Sequence, residues 1–396
     1  MVFPSFIALE RRARNALACL IGKIHPLEKI TPQTLRAHFE EGRIRKILFI
    51  RPHQGLGDLL LATPVFKALK NACPALQIHF LADTYNVIAI GGNPRLDRCW
   101  VWDKRAMRLP WRLIAFLRRL RKERYDVAIP LSSHVPSFTS FWLARASGAR
   151  WVLGYSTLPF YGGANWSRWL AHVELVNRPP EDPEWEKFME FARAMGAGAG
   201  GDFAPEFTIS PAEREWARAR WASYEMPPGR SKVGIFLGGN PERPARLWPP
   251  RLWAELLERL EADARLAVVA IVPPERMLSG SGALEHGVLS DVLKGQPRVP
   301  PVFSDASLGR VAAFLKGLDL FVCVDGGLFH VAVAAGVPTL GLFFLTDPAR
   351  WKPPVPWATV LRPADDRPDS LGAEEVYRAI LDRLAAETSS PVRHLN

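Results

Sequence analysis

The segment from Leu318 to His330, LDLFVCVDGGLFH, with its continuation VAVAAGVPTLGLFF, decides the fold. The run from Leu320 to Val324 is apolar and partly β-branched, which predicts a buried strand. The glycines of Asp325-Gly326-Gly327 interrupt it, a short helix is predicted over 328–335, and 339–345 predicts the next strand. The first N–H groups of a helix lack partners and attract negative charge, so this pattern indicates a phosphate-binding loop. A plain tight turn fits the same residues equally well.

A similar loop follows the first predicted strand, which spans residues 45–51. Its glycines, Gly55 and Gly57, let the backbone pass close to a bound group. Asp58 comes next, at the predicted start of a helix. It could act as a general base on a substrate hydroxyl or as a helix N-cap, and its spacing alone favours the cap.

Strands and helices alternate through both halves of the chain, which is typical of doubly wound α/β domains. The glycine-rich GAGAGG at 196–201 separates the halves. We therefore predict two Rossmann-like domains facing a cleft. The predicted organisation is a basic amphipathic extension at 1–40, a first domain at 41–195, a linker at 196–206, a second domain at 207–365, and a C-terminal helix and tail at 366–396.

Composition and charge narrow the possible partners. A chain of 396 residues is longer than one hydrophobic core usually organises, so more than one domain is expected. The composition, 48% hydrophobic and 23% charged, is that of a globular protein. The formal charge of +11 favours anionic partners, but no nucleic-acid-binding module is recognisable, so nucleic acid is not expected. The four cysteines lie far apart, which argues against a zinc site or disulfide framework. Without an evident signal peptide or apolar membrane span, the protein is expected in the cytoplasm.

The N-terminal extension has apolar residues at helical spacing, with arginines and lysine largely between them. This pattern predicts a basic amphipathic helix that either lies on an anionic membrane surface or packs on the first domain. Two prolines, Pro26 and Pro32, are predicted to end the segment. The apolar positions are Phe6, Leu9, Ala13, Leu17, Leu20 and Ile24.

Candidate ligand-binding residues also follow the first strands of the second half. Gly239 and Asn240 come directly after the predicted strand at 232–237. Arg246 follows in a loop where it could pair with phosphate oxygens. Glu275 comes after the next strand, a place where a carboxylate often accepts from a ribose hydroxyl. Taken singly, Arg246 fits a solvated surface charge better than a phosphate ligand, and Glu275 fits a surface residue equally well.

Two longer segments resemble glycosyltransferase family nine, the lipopolysaccharide heptosyltransferases. They are KILFIRPHQGLGDLLLATPVFKALKNACPALQIHFLAD near the start and VDGGLFHVAVAAGVPTLGLFFLTDPARWKPP near the end. The shorter motifs NPRLDRCWVWD, YDVAI and RLWPPRLWAEL lie between them in the family's order. The resemblance covers roughly residues 44–385 and leaves the first 40 unexplained.

The resemblance implies the GT-B fold, with the acceptor bound mainly by the first domain and the nucleotide-sugar by the second. It implies that Asp58 is the base that deprotonates the acceptor hydroxyl and that Arg246 contacts the donor phosphates. The loop from Asp325 through Gly326, Gly327 and Leu328 to His330 corresponds to the family's diphosphate-binding signature, and Glu275 to its ribose-binding carboxylate. His330 could also be a core histidine.

The implied activity is an inverting, metal-independent transfer of a sugar, heptose from ADP-heptose, to a lipopolysaccharide-core or other lipid-linked acceptor. No cofactor is expected, and the inner face of the cytoplasmic membrane is an expected location. Two departures concern the donor: Gly326 replaces a threonine of the signature, and GGNPERPAR lacks the usual Thr/Ser pair. A transferase that uses another nucleotide-sugar and a non-catalytic nucleotide- or glycan-binding member are therefore the alternatives.

Overall fold

The computed structural model describes residues 4–53, 55–132, 136–157, 166–198, 200–239, 243–274, 289–294, 296 and 298–388, without the side chains of 4–11 and 388. The chain forms two compact units, Met1–Phe203 (unit 1) and Ala204–Asn396 (unit 2). Both are parallel α/β units, as predicted from the alternation of strands and helices.

Unit 1 begins with two helices and continues as alternating strands and helices. Its elements are α1 (Pro4–Ile24), α2 (Pro32–Glu40), β1 (Lys46–Arg51), α3 (Leu56–Leu61), α4 (Thr63–Ala72), β2 (Gln77–Asp83), α5 (Val87–Ile90), β3 (Arg98–Trp102), α6 (Pro110–Lys122), β4 (Val127–Pro130), α7 (Phe138–Ala146), β5 (Trp151–Tyr155), α8 (Ser167–Leu170), β6 (Val173–Leu175) and α9 (Glu184–Arg193).

Unit 2 repeats the alternation. Its elements are α10 (Pro211–Ala222), β7 (Ser231–Phe236), a 3₁₀ turn (Pro244–Arg246), α11 (Pro250–Ala262), β8 (Leu266–Ile271), β9 (Val302–Phe303), α12 (Leu308–Leu315), β10 (Leu320–Val324), α13 (Gly327–Ala334), β11 (Thr339–Leu342), α14 (Pro348–Trp351), β12 (Ala358–Leu361) and α15 (Ala373–Thr388). Helix α10 starts with a capping box, in which the side chains of Ser210 and Glu213 bond to each other's backbone N–H.

The strand order is the same in both units. Within the described residues, six parallel strands run β3-β2-β1-β4-β5-β6 in unit 1 and β12-β11-β10-β7-β8-β9 in unit 2. This is the doubly wound order, in which the chain reverses direction across the sheet beside the first strand. The switch point lies between β1 and β4 in unit 1 and between β7 and β10 in unit 2. Loops at the carboxyl ends of these strands are therefore the natural ligand sites.

Each unit has a core of its own. In unit 1, side chains of the central strands pack with α6, α7 and α8 in one cluster that includes Phe116, Leu143 and Leu170. In unit 2, the central strands pack with α11 and with the C-terminal helix α15 through Leu256, Val376 and Ile380. Strands β1, β4 and β10 are almost wholly buried, as their continuous apolar runs predict.

The N-terminal segment is helical, as predicted, but Pro32 does not end it. Pro32 is the first residue of α2, where a proline is favourable because the N–H that it lacks would have no partner. The side chain of Thr31 caps this helix by accepting from the Thr34 N–H. Helix α1 packs on α8 of the same unit. Across the described residues, we find no helix with both the length and the apolar character that a membrane crossing requires.

Candidate active site

The loop after β1 places Asp58 against Arg51. Helix α3 starts at Leu56 with Gly55 as its N-cap, so Asp58 is its third residue and makes no capping bond. The N-cap interpretation of Asp58 is therefore wrong. Instead, Arg51 Nη2 donates to Asp58 Oδ2 at 2.5 Å, and Arg51 Nη1 donates to the Leu131 carbonyl at 3.2 Å. Because Leu131 directly follows β4, the pair sits across the switch point of unit 1.

One acceptor atom and one donor atom of the Arg51–Asp58 pair are available for a ligand. Asp58 Oδ1 and Arg51 Nε are both buried, and neither has a partner among the residues that the structure describes. A buried acceptor or donor without a partner costs free energy and is typical of a site that a ligand completes. The arrangement thus offers an oriented carboxylate oxygen that can accept a proton or a hydrogen bond from a bound hydroxyl.

Gly55 makes this pairing possible. A Cβ atom there would lie 2.9 Å from Asp58 Oδ2 and 3.3 Å from Arg51 Nη2. The residue also has φ +144°, a conformation that favours glycine. Gly57 lies within the first turn of α3, beside Asp58.

His53, in the same loop, is a site residue that the sequence reasoning missed. Its Nε2 bonds to the Ser137 hydroxyl, with Ser140 Oγ at 3.5 Å, and its carbonyl accepts from Asn86 Nδ2. Burial, followed by the positive charges of Arg51 and Lys104, lowers the His53 pKa to about 4. The imidazole is therefore neutral near pH 7 and serves as a hydrogen-bonding group.

Unit 2 brings three side chains together at its own switch point. Asp325, directly after β10, accepts from Arg246 Nη1 at 3.2 Å through Oδ2. The same oxygen accepts from the Thr346 hydroxyl at 2.5 Å. Arg246 reaches it from the 3₁₀ turn after β7 and Thr346 from the loop after β11, so three neighbouring strands contribute. Arg246 Nε is buried and has no partner in the described part of the chain, which leaves a donor for a ligand oxygen.

The remaining predicted donor residues differ in their surroundings. Gly326 caps α13 in an extended conformation, with no side-chain hydrogen bond and no atom within 4 Å of a Cβ built there. A Cβ at Gly239 would lie 2.3 Å from Leu247, so this glycine makes room for the protein's own side chain. Gly327 and Leu328 open α13 and are partly exposed.

His330 lies in the same helix but is nearly fully buried. Its ring meets the Phe329 ring edge-on, with centroids 5.2 Å apart. This environment agrees with the alternative of a core histidine, although its predicted donor role remains open. Asn240 and Glu275 lie outside the described residues, so their predicted roles stay predictions.

Two parallel α/β units with ligand loops at their switch points define the GT-B class of glycosyltransferases. The match to a known family is more specific: residues 113–374 fit the model described as glycosyltransferase family 9 (heptosyltransferase), and the chain belongs to that family. It is therefore a glycosyltransferase, as the sequence motifs predicted.

Individual relatives are distant in sequence and close in fold. The chain is 22% identical over 306 residues to lipopolysaccharide heptosyltransferase 3 of Escherichia coli, covering 75% of this chain and 82% of the relative. It superposes on a family 9 glycosyltransferase from Veillonella parvula with TM-score 0.72 and 19% identity, over 86% and 97% of the two chains. It also matches the E. coli heptosyltransferase WaaC with ADP, with TM-score 0.65 and 18% identity, over 85% and 99%.

Proposed function

We propose that this enzyme transfers heptose from ADP-heptose to a lipopolysaccharide-core or other lipid-linked acceptor, with inversion at the anomeric carbon and without a metal ion. The observation that carries the proposal is the Asp58 carboxylate, which Arg51 holds through Oδ2 and whose Oδ1 is buried with no partner among the described residues. The choice of donor is supported by the names of the matched proteins, a lipopolysaccharide heptosyltransferase and a heptosyltransferase with ADP.

In the proposed reaction, Asp58 Oδ1 accepts the proton of the acceptor hydroxyl as its oxygen attacks the anomeric carbon. Arg51 holds the other carboxylate oxygen, so Oδ1 is presented in a fixed direction. The bond from the anomeric carbon to the diphosphate breaks on the opposite face, and this geometry gives inversion. Such positioning lowers the barrier because little reorganisation is needed at the moment of reaction.

The departing diphosphate gains negative charge, which unit 2 is proposed to stabilise. Asp325 accepts from both Arg246 and Thr346, and it therefore fixes the guanidinium while leaving Nε available. The uncapped start of α13 adds backbone N–H groups and the positive end of its dipole. The proposal assigns to these groups the charge stabilisation that a divalent cation supplies in other transferases.

The donor is tested first, by thermal unfolding with ADP, ADP-heptose, UDP, GDP or CMP, with EDTA present throughout. We expect ADP and ADP-heptose to raise the melting temperature more than the other nucleotides, because a ligand bound to the folded state stabilises it. A larger shift with UDP or GDP would mean that the donor carries that nucleotide, and the role proposed for Asp58 would be unaffected. Loss of all shifts would favour the non-catalytic alternative.

The base is tested by Asp58→Asn, which keeps an acceptor for Arg51 but cannot take a proton. Transfer should fall about a hundredfold to ten-thousandfold, while ADP affinity stays unchanged. The matched control is Asp369→Asn, which removes the same type of charge from an exposed pair with Arg367. Near-normal turnover by the Asp58 variant would rule out this residue as the base.

Arg246→Ala tests the donor side independently. Losing a charged donor to the diphosphate should weaken ADP binding about tenfold or more. Arg251→Ala, at an exposed position of neighbouring α11, is the control. Unchanged ADP affinity in the Arg246 variant would mean that this residue does not contact the donor.

A further inference from the structure

Among its described side chains, helix α1 packs on unit 1 through Ala18, Gly22 and the partly buried Ile21, and it turns its other large apolar residues outwards. Ala18 is fully buried, and Gly22 faces Trp169 so closely that a Cβ would lie 2.7 Å from Cε3. In contrast, Leu17, Leu20 and Ile24 are 45%, 54% and 61% exposed. A surface helix of a globular protein normally does the opposite and places its large apolar side chains against the core.

The exposed residues form a continuous stripe. Ala13, Leu17, Leu20 and Ile24 are spaced by four, three and four residues, so they share one side of the helix; we call them the outward stripe. Arg12 and Lys23 are exposed beside it, and the helix carries no acidic residue between residues 12 and 24. The stripe thus combines an apolar surface with positively charged borders.

Helix α6 adds a second surface of the same character. Trp111 and Ile114 are exposed near its start, and Arg118, Arg119 and Lys122 are exposed further along. The buried sides of α1 and α6 belong to one core cluster, through Ala18 and Phe116, so both helices cover the same face of the unit 1 sheet. The outward sides of both helices therefore lie on the same side of unit 1, facing away from the sheet.

We propose that the outward stripe of α1 docks on the surface of an anionic lipid bilayer, with Trp111 and Ile114 of α6 as a second contact. Long apolar side chains enter the boundary between headgroups and acyl chains, while Arg12 and Lys23 remain with the anionic headgroups. Tryptophan is also favoured at this depth. A two-fold contact between copies of α1 fits less well, because an antiparallel pair would bring Arg12 of one copy towards Lys23 of the other.

The position of α1 gives this docking a consequence for the enzyme. Besides burial and the charges of Arg51 and Lys104, the charge of Arg14 also lowers the pKa of His53. Arg14 therefore lies near the loop after β1, where Asp58 is found. Docking would bring the candidate acceptor site to the membrane surface; this consequence alone rests on the proposed function, and the docking itself does not.

Sedimentation with vesicles tests the proposal on the full chain, with neither donor nor acceptor present. We expect binding to vesicles that contain phosphatidylglycerol and little binding to phosphatidylcholine alone. Replacing Leu17, Leu20 and Ile24 together with glutamine should lower the partition coefficient at least about tenfold. The double variant Arg12→Gln/Lys23→Gln should weaken the preference for anionic vesicles, because the basic residues of α6 remain, while keeping a native melting curve.

The matched control is the double variant Val299→Gln/Leu345→Gln, which changes residues of unit 2 that are 63% and 61% exposed. It should bind vesicles like the unchanged protein. Equal binding by the stripe variant, or no binding by the unchanged protein, would overturn the proposal. A concentration-dependent dimer that the stripe variant abolishes, without vesicle binding, would instead assign the stripe to a second copy of the chain.

Discussion

Gly55 is the residue on which the geometry around Asp58 depends most directly. We predict that Gly55→Ala lowers turnover, because its Cβ would displace the Asp58 carboxylate, and that it costs about 1–3 kcal/mol of stability through its φ of +144°. Steady-state kinetics and chemical denaturation measure the two effects.

Gly42 provides the control for Gly55. It has φ +70° but no atom within 4 Å of a Cβ, and it lies outside the site. Gly42→Ala should therefore lower stability by about 1 kcal/mol with unchanged kcat. If both variants lose only stability, Gly55 has no role in orienting Asp58.

Gly326 allows the opposite kind of test, since its backbone is extended and open space surrounds it. We predict that Gly326→Thr folds normally and binds ADP about threefold or more tightly, because the hydroxyl adds a donor beside the start of α13. Gly326→Ala adds the Cβ without the hydroxyl and should leave ADP affinity unchanged. Titration calorimetry compares them, and weaker binding by the threonine variant would mean that the glycine itself is needed.

Single residues also show how much of the site the sequence could supply. Asp58, Arg246 and Asp325 were identified from motifs, but their partners were not. Arg51 bonds across 80 positions to the Leu131 carbonyl, and Arg246 reaches Asp325 across 79. Such contacts depend on strand order, which a local pattern does not contain. Thr346 was overlooked for the same reason, although it stands in a segment that resembles the family.

At the scale of elements, strands with long apolar runs were predictable because they are buried on both faces. β1, β7 and β10, predicted at 45–51, 232–237 and 320–324, lie within about two residues of these bounds, an ordinary margin at element ends. Shorter or half-exposed strands were missed: β9 has two residues, β6 has three, and most of β12 is only partly buried. Their pairing comes from the neighbouring strand rather than from their own sequence.

Helix α1 shows what periodicity cannot decide. Its apolar spacing predicted an amphipathic helix but not which side faces the protein. We predict that Gly22→Val loosens its packing, because the larger side chain collides with Trp169. Hydrogen exchange in residues 12–24 should become about tenfold faster or more, while β1 stays protected.

Ala16→Val is the matched control for Gly22→Val, since Ala16 is exposed on the same helix. It introduces the same side chain without a collision and should leave exchange almost unchanged. If both variants exchange alike, the contact with Trp169 does not hold α1 in place.

On the scale of the whole molecule, one topology is used twice with different chemistry. Both units place their polar groups beside the first strand of the sheet, Arg51 and Asp58 in unit 1, Arg246 and Asp325 in unit 2. Within the described residues, unit 1 presents a carboxylate oxygen without a partner, whereas unit 2 presents a guanidinium N–H without one. The duplicated fold thus offers a hydrogen-bond acceptor in one unit and a charged hydrogen-bond donor in the other.

The two units should also differ in their response to acid. Burial lowers the pKa of His53, His79 and His172, all in unit 1, to about 4 each. The unfolded chain binds protons at its histidines from about pH 6.5 downwards, so it binds more than the folded chain between about pH 6.5 and about pH 4. The free energy of unfolding of unit 1 is therefore complete above this window and falls as the pH drops through it.

In unit 2, the Arg265 guanidinium lowers the pKa of Asp263 below its ordinary value of 3.8, so the stability that this pair contributes is lost only at still lower pH. Hydrogen exchange at about pH 5, corrected for the intrinsic rate, should consequently show lower protection around His53, His79 and His172, with the segment around Asp263 little changed. Equal losses at both places would show that these three histidines do not determine the acid sensitivity of unit 1.

His172 isolates one of these contributions. Its Nδ1 accepts the Val152 N–H at 2.9 Å, and protonation at Nδ1 would break this bond. His172→Asn keeps an acceptor near that position but does not titrate, so the stability lost between about pH 7 and about pH 5 should shrink by about 2 kcal/mol. His25→Asn, at an exposed position, should leave the pH dependence unchanged. Chemical denaturation across this range measures the free energy of unfolding of each variant. If this free energy depends on pH in the His172 variant as it does in the unchanged protein, the imidazole is either protonated in the folded unit or not needed there in its neutral form.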